Sequence, residues 1–483
     1  MKSREREVRA STSVYFALVM LLVVSLLFTL LEGARIEGLK AAVKMNSEVE
    51  AESMLAGYVS PLWEKYHIFA ADRANIEAVD SKASTRQGLW LFALQTEGVS
   101  MDECHLLTDD KGEGFCRLAA EYMKYHMPAA TMEAAKTKLQ QMQDAKDEAG
   151  DMDAKAENAA SCIQKAKEEE QEAQSGQDTA AAPVVSETTV ENPLEYRKGW
   201  KKADCLALLG VDTSRLSEKK ADLSKSVTRR KRQTGNWSGT KTAASAAEQL
   251  LFRQYLLEQF ACYPVNGENT AASGQTLDYE IEYLLAGKAT DRQNLKTVLK
   301  QILALREVAN FVYLQTDSQK KGEALTLATL LVGASGNTLL IKGVQQGILA
   351  VWAFAESIAD TRSLLAGKTI PIIKTAEQWT TDVGGLSKDS SFGEASQCTG
   401  GLTYKDYLCL LLAMENRGKL CYRAMDLMEW EIRTVKGYEN LQMDMLWDQA
   451  VFTYEYQAKP LFVSTIRKSY CWSIQQTVQY VKD

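Results

Sequence analysis

From Ala10 to Leu31 the chain carries no charged residue, and the block Val14–Leu31 holds thirteen Leu, Val and Phe residues. A helix rising about 1.5 Å per residue over that length crosses most of a bilayer's hydrocarbon core, about 30 Å thick. On an insertion scale of roughly −0.3 to −0.6 kcal/mol per large apolar residue, the block favours lipid by several kcal/mol. Ser25 and Thr29 do not offset this, because a helix lets their hydroxyls bond the preceding turn. The pattern predicts a membrane anchor formed by Val14, Phe16, Leu18, Leu22, Leu26, Phe28 and Leu31. Beyond it, Ile36, Leu39 and Val43 keep helical spacing, so one helix is expected to continue out of the membrane into the folded part.

Further along, the periodicity changes several times. Residues 59–130 read as a small globular segment. Between Met132 and Ala166 two seven-residue series interleave: Ala135, Met142, Ala149, Ala156, Ile163, and Lys138, Ala145, Met152, Ala159, Ala166. Spacings of three and four are those of a coiled-coil seam, so 131–173 is expected to pair within the molecule or with a partner, through Ala135, Met142, Ala145, Met152 and Ile163. A seam so rich in alanine buries little, which predicts a tolerant spacer. Residues 174–193 read as a polar linker, and 194–242 as a short helix with a polar loop.

The main domain is expected over 243–483. "LDYEIEYLLAG" alternates, with Leu277, Tyr279, Ile281 and Tyr283 opposite Asp278, Glu280 and Glu282; this predicts a half-buried strand, although Leu277, Ile281 and Leu284 also fit a helix. Thr290 and Gln293 have capping-box spacing before a helix with Leu295, Val298, Ile302, Leu305 and Ala309 on one face. The apolar region 324–367 is interrupted by Gly333, Gly336, Asn337, Lys342, Gln345 and Gln346, which predicts two buried core helices rather than a second span. Thr403 opens another helix, and the period-two stretches "QAVFTYEYQA" and "SYCWSIQQTVQYV" read as C-terminal strands. The fold class is α+β, predominantly helical, with an N-terminal transmembrane helix, an Ala-rich coil and C-terminal antiparallel strands.

Charge sets the topology. Lys2, Arg4, Arg6 and Arg9 precede the apolar run, and acidic residues count little in the positive-inside rule. The leader, in the segment 1–58, is therefore expected in the cytoplasm and the main domain outside. The run ends in Glu32-Gly33-Ala34-Arg35, without the small-residue pattern of a cleavage site, so an uncleaved signal anchor is expected. The net charge of −7 argues against a nucleic-acid binder. The Arg229-Arg230-Lys231-Arg232 cluster has no aromatic platform and reads as a solvated loop.

The sequence holds no Walker A loop, nucleophile elbow, zincin or dinucleotide motif. His105, Cys104, Cys116 and His126 lack the close ligand pairs of structural zinc. Asp109, Asp110 and Glu113 depart from EF-hand order and read as a solvated turn. The nine cysteines form no tidy framework; Cys104 and Cys116 are the nearest candidates for a bridge. No cofactor, metal or catalytic residue is expected.

"ASTSVYFALVMLLVVSLLFTLLEGARI" resembles the N-terminus of TadE/TadG-like pseudopilins. "LDYEIEYLLAGKATDRQNLKTVLKQILALREVANFVYL", "ILAVWAFAESIADTRSLLAGKTIPIIKTAEQW" and "GLTYKDYLCLLLAMENRGKLCYRAMDLME" resemble an uncharacterised family of membrane-anchored proteins of Gram-positive bacteria associated with Tad (Flp) pilus genes. The resemblance implies a setting and no reaction: a structural or assembly component of a Tad-type pilus or related secretion machine, with the membrane and pilin-like proteins as partners. The rival expectation is a membrane-anchored enzyme or ligand-binding protein acting at the cell wall. In the pseudopilins a Gly precedes the cut and a Glu stands fifth after it. Ala10 and Tyr15 occupy those positions, so the leader is expected to stay.

Overall fold

The computed structural model describes residues 2–75, 94–126, 137, 140–142, 144, 151–175, 192–239, 244–265, 276–332, 337–384, 386, 393, 400–461 and 468–481. The chain forms two compact units, each assembled from separated stretches. Met1–Tyr122, Lys231–Ala244 and Ile432–Asp483 form unit 1; Met123–Arg230 and Ser245–Glu431 form unit 2. The stretch 194–242 thus divides after Arg230, and 243–483 contributes to both units.

Unit 1 is built on helix α1 (Lys2–Leu55) and an antiparallel sheet. After α1 come α2 (Ser60–Tyr66), β1 (Ala71–Asp72), β2 (Leu94–Leu106) and α3 (Glu113–Lys124); β3 (Leu446–Ala458) and β4 (Tyr470–Gln479) complete the sheet. Central β3 pairs with β2 along one side and with β4 and the short β1 along the other. The C-terminal strands expected from their alternation are β3 and β4, with Tyr456 opposite Trp472 and Tyr454 opposite Ile474. Val43, Met54, Leu106, Trp447, Phe452, Tyr454 and Val478 meet in one apolar core between the helix and the sheet.

Unit 2 is helical. It contains α4 (Met152–Ser175), α5 (Pro193–Lys202), α6 (Cys205–Leu208), α7 (Ala246–Gln259), α8 (Glu280–Ala286), α9 (Asp291–Thr316), α10 (Ser318–Val332), α11 (Thr338–Leu365), α12 (Tyr404–Met414) and α13 (Arg417–Ile432). Local signals set the starts: Thr290 accepts the Gln293 N–H ahead of α9, and Thr403 forms a reciprocal cap with Asp406 ahead of α12. Leu295, Val298, Ile302, Leu305 and Ala309 are all buried, as their spacing predicts.

Three expectations are corrected. The stretch Leu277–Leu284 is not a strand. Its central residues form α8, which Gly287 ends in the left-handed region at φ 62°. Glu280 and Glu282, read as the wet face, are buried and accept the Ala261 and Tyr263 N–H groups at 2.9 and 3.0 Å. Acids consumed inside the fold imitate the polar half of an alternating strand. Of the two helices expected to be core, α11 is deeply buried, whereas α10 buries Ala324, Ala328 and Val332 and leaves Leu325 and Leu330 exposed.

The third correction concerns the Ala-rich helix. Ala135 and Ala145 lie outside the described residues, and Met152 begins α4. Met142 and Ile163 are buried, as are Ala159 and Ala166 of the expected seam, and α4 packs against α11. Gly347 of α11 allows the approach. A Cβ there would fall well under 3.0 Å from Ala159 Cβ and 3.0 Å from Leu194 of α5. One turn earlier a Cβ on Gly343 would stand 2.6 Å from Cys162 Sγ. The helix is packed into unit 2 and is no loose spacer.

Candidate functional site

The surface most unlike that of a water-soluble protein is the first half of α1. Every residue from Thr12 to Leu31 is exposed, including Val14, Phe16, Leu18, Leu22, Leu26, Phe28 and Leu31. Ser25 and Thr29 donate their hydroxyls to the Leu22 and Ser25 carbonyls at 2.8 and 2.7 Å, so these two hydroxyls are spent within the helix. The helix is long and apolar enough to cross a membrane, and none of its most apolar window is buried. Continuous apolar surface on this scale is rare on water-exposed proteins and is compatible with membrane anchoring.

The change of character falls at Glu32, which is 2 % exposed. Its carboxylate pairs with Arg35 at 3.0 Å and accepts the Leu461 N–H at 3.3 Å. From there Leu39, Val43, Ser47, Ala51 and Met54 are buried at spacings of three and four. Gln476 donates to Ser47 at 2.9 Å, Tyr456 to Glu50 at 3.0 Å and Tyr480 to the Leu55 carbonyl at 2.9 Å. One uninterrupted helix therefore leaves its apolar first half exposed and clamps its second half to a sheet.

The polar clusters of unit 1 fasten the chain. The stretch after Arg230 is a strap along edge strand β2. Asn236 accepts the Cys104 N–H at 3.0 Å and donates to the Asp102 carbonyl at 2.6 Å, so a side-chain amide takes the place of a neighbouring strand. Glu103 receives the Ser238 N–H at 2.9 Å, Asp109 receives those of Leu106 and Gly235 at 2.9 and 3.0 Å, and Glu113 receives that of Ala244. Gly235 is required, because a Cβ would strike the Cys104 carbonyl. The turn read as solvated thus contributes clamps, and its Asp110 and Lys111 hold positive φ of 49° and 65°. His105 is 8 % exposed; its Nδ1 lies 2.6 Å from Asp448 Oδ1 and its Nε2 3.7 Å from Asp110. Burial alone would lower its pKa, but the Asp448 hydrogen bond and charge, with Asp109 and Asp110, raise it above 6.5. Cys104 is a buried thiol, so the bridge to Cys116 is not made.

Unit 2 holds ionic groups deeper still. Arg306, fully buried, binds Asp360 at 2.9 Å, Asn310 at 2.8 Å and the Pro371 and Ile372 carbonyls at 2.7 Å each. Lys374 joins Asp360 at 2.5 Å and Glu356, which accepts the Thr380 and Thr381 N–H groups at 3.0 and 2.8 Å. Burial would raise the Asp360 carboxyl, yet the Arg306 and Lys374 charges hold it below the usual range. The network ties the segment after α11 onto α9 and α11. Glu282, fully buried, accepts from Tyr404 at 2.7 Å; burial pushes its carboxyl up to about 7. Arg230, read as part of a solvated basic loop, makes a two-pronged pair with buried Glu429 at 2.5 and 2.6 Å. A cavity of about 500 Å³ lies between α4 and α5, lined by Asp153, Ile163, Leu194, Arg197 and Lys201 among others. Arg197 there is engaged by Glu307 and by Asp153. Among the described residues, no group of three or more His, Cys, Asp or Glu side chains is arranged to hold a metal.

The model of the family of unknown function DUF5702 matches residues 184–458, more than half of the chain. No curated protein and no solved structure matches it.

Proposed function

We propose that this chain, which belongs to DUF5702, is a non-enzymatic, single-pass membrane protein serving as a structural or assembly component of a Tad-type pilus or related secretion machine. The observation that carries the reading is the division of α1. Its exposed half, about 30 Å long from Thr12 to Leu31, matches a bilayer core. Its other half is the spine of an antiparallel-sheet unit. Subunits that assemble through a shared apolar helix need that helix continuous with a rigid head, so that contacts in the membrane set the spacing of the heads. The sequence likeness of residues 10–36 to TadE/TadG-like pseudopilins supports the same setting. The basic leader supports a cytoplasmic position for residues 1–9, with both units outside.

The reading predicts that the native protein resists alkaline carbonate extraction and that deleting residues 1–31 releases it. A membrane-impermeant thiol reagent should label a cysteine introduced at Glu52 of α1, which is exposed beyond the span, in intact protoplasts. A freely soluble native protein removes the anchor; labelling only after lysis reverses the orientation.

A further inference from the structure

Another cavity in unit 2, of about 230 Å³, lies where the corner between α5 and α6 meets α9 and α11. Its wall on α9 is the face Lys300, Leu303, Ala304 and Glu307, spaced i, i+3, i+4, i+7. Trp200 of α5 and Phe354 of α11 also line it, their ring centroids 6.4 Å apart at an interplanar angle of 19°. Trp200, Leu303 and Phe354 are buried, whereas Lys300 and Ala304 are exposed. The recess is therefore apolar and aromatic inside and meets water at a rim that carries a lysine.

The corner is fastened around the recess, so the space is held open by the fold. Asp204 pairs with Lys296, one turn before Lys300, at 2.7 Å. Arg197 donates from Nε to Glu307 at 3.1 Å, at the other end of the same helix face. Arg362 of α11 donates from Nε to the Leu208 carbonyl at 3.0 Å and holds α6 from a second helix. Between these clamps α9 presents Ala304, whose methyl group leaves room that a larger side chain would take.

The same pairs settle the charge. Glu307 is answered by Arg197, and Lys201 by Asp153. Cys205, also in the wall, stays a neutral thiol, because burial pushes it up to about 11. Lys300 is left, with no carboxylate paired to it among the described residues. Small-molecule sites are concave and apolar, with a few placed polar groups that set orientation. Here the lining charge that stands unanswered is positive. Size narrows the ligand further: an apolar cavity of roughly 150 Å³ already takes benzene, so this one takes a six-membered ring with a short polar arm.

We infer that this recess binds a small aromatic carboxylate, its ring against Trp200 and Phe354 and its carboxylate on Lys300. The inference concerns unit 2 alone and goes beyond the proposed membrane role. A ligand seated there bridges the α5–α6 corner to α9 and α11, and it stabilises unit 2 according to its occupancy.

The test uses phenylacetate, 2-phenylethanol and 2-phenylethylamine, which share a ring and differ in the charge of the arm. Residues 12–31 are exposed throughout, so a chain lacking 1–31 keeps both folded units. Calorimetric titration of that chain should show phenylacetate filling one site with a dissociation constant on the order of 0.1–1 mM. The alcohol should bind about tenfold more weakly, and the amine more weakly still, since Lys300 repels it. Lys300→Gln should bring phenylacetate down to the affinity of the alcohol and leave the alcohol unchanged. Ala304→Leu should block phenylacetate and abolish the rise in Tm that it gives the parent chain. The exposed position of Lys300 keeps its variant folded, so charge selection is read whatever Ala304→Leu does to stability. No saturable phenylacetate binding overturns the inference. Equal affinity for acid and amine, or undiminished binding to Ala304→Leu, overturns it too.

Discussion

Replacing Gly347 with alanine tests whether the Ala-rich helix belongs to the fold. Carbon atoms rest about 3.5–4.0 Å apart in good contact, and the new Cβ would stand well under 3.0 Å from Ala159 Cβ. Ala159 Cβ is fixed to the α4 backbone and has no rotamer to escape through, so α4 and α11 must part. Overpacking of this kind costs about 1–3 kcal/mol, against a helix-propensity gain of up to about 1 kcal/mol for removing a mid-helix glycine. The net expectation is a loss of about 1–2 kcal/mol. Gly322 is the internal control: it lies in α10 with nothing within 4 Å of its would-be Cβ, so Gly322→Ala should gain about 0.5–1 kcal/mol. Urea unfolding of the chain lacking 1–31, followed by far-ultraviolet circular dichroism, reads both, with midpoints moving in opposite directions by several tenths of a molar. Adding Ala159→Gly to Gly347→Ala should recover stability, a coupling of about 1 kcal/mol or more. If Gly347→Ala stabilises as Gly322→Ala does, α4 is not packed on α11 and the spacer expectation returns.

Glu282→Gln should flatten the pH dependence of unit 2. The folded carboxyl titrates near 7 against 4.5 unfolded, so its favourable contribution is complete below about 4.5 and lost as pH rises through 7. That is about 3 kcal/mol in all, from 1.36 kcal/mol per pKa unit; equal slopes for wild type and variant between pH 5 and 7 would refute it. Asp448→Asn should bring His105 down toward or below its ordinary 6.5 in an NMR titration. Because the folded value is raised, the stability His105 lends unit 1 is full below 6.5 and fades as pH climbs through the folded pKa; an unmoved titration would show that Asp448 does not hold the ring. Asn236→Ala should uncover the β2 edge, costing about 1 kcal/mol and promoting self-association visible by light scattering; unchanged stability and a monomer would show that the strap is held elsewhere.

The elements legible in the sequence were those whose period survives into the fold. The anchor shows because nothing interrupts its apolar run, and β4 because Trp472, Ile474 and Val478 face one core while Ser473, Gln475 and Thr477 do not. β2 was missed for a physical reason: register shifts between Thr96 and Gly98, Met101 and Glu103, and His105 and Leu106 break the alternation. α8 was misread because its acids are buried. The strap was invisible because its partners, Cys104, Asp109, Glu113 and Asp444, lie more than a hundred residues away in sequence. What Gly343 and Gly347 permit, the approach of α4, needs the partner helix to be seen.

On the proposed function, the exposed half of α1 works inside a membrane against helices like itself. Photocrosslinking residues placed singly at Leu22 and Phe28, in native membranes of cells making the assembly, test this most directly. Crosslinks to proteins carrying a pilin-like N-terminal apolar helix are expected, lost when residues 1–31 are exchanged for an unrelated span. Crosslinks to lipid alone from both positions, with pilus assembly unaffected by the exchange, would contradict it.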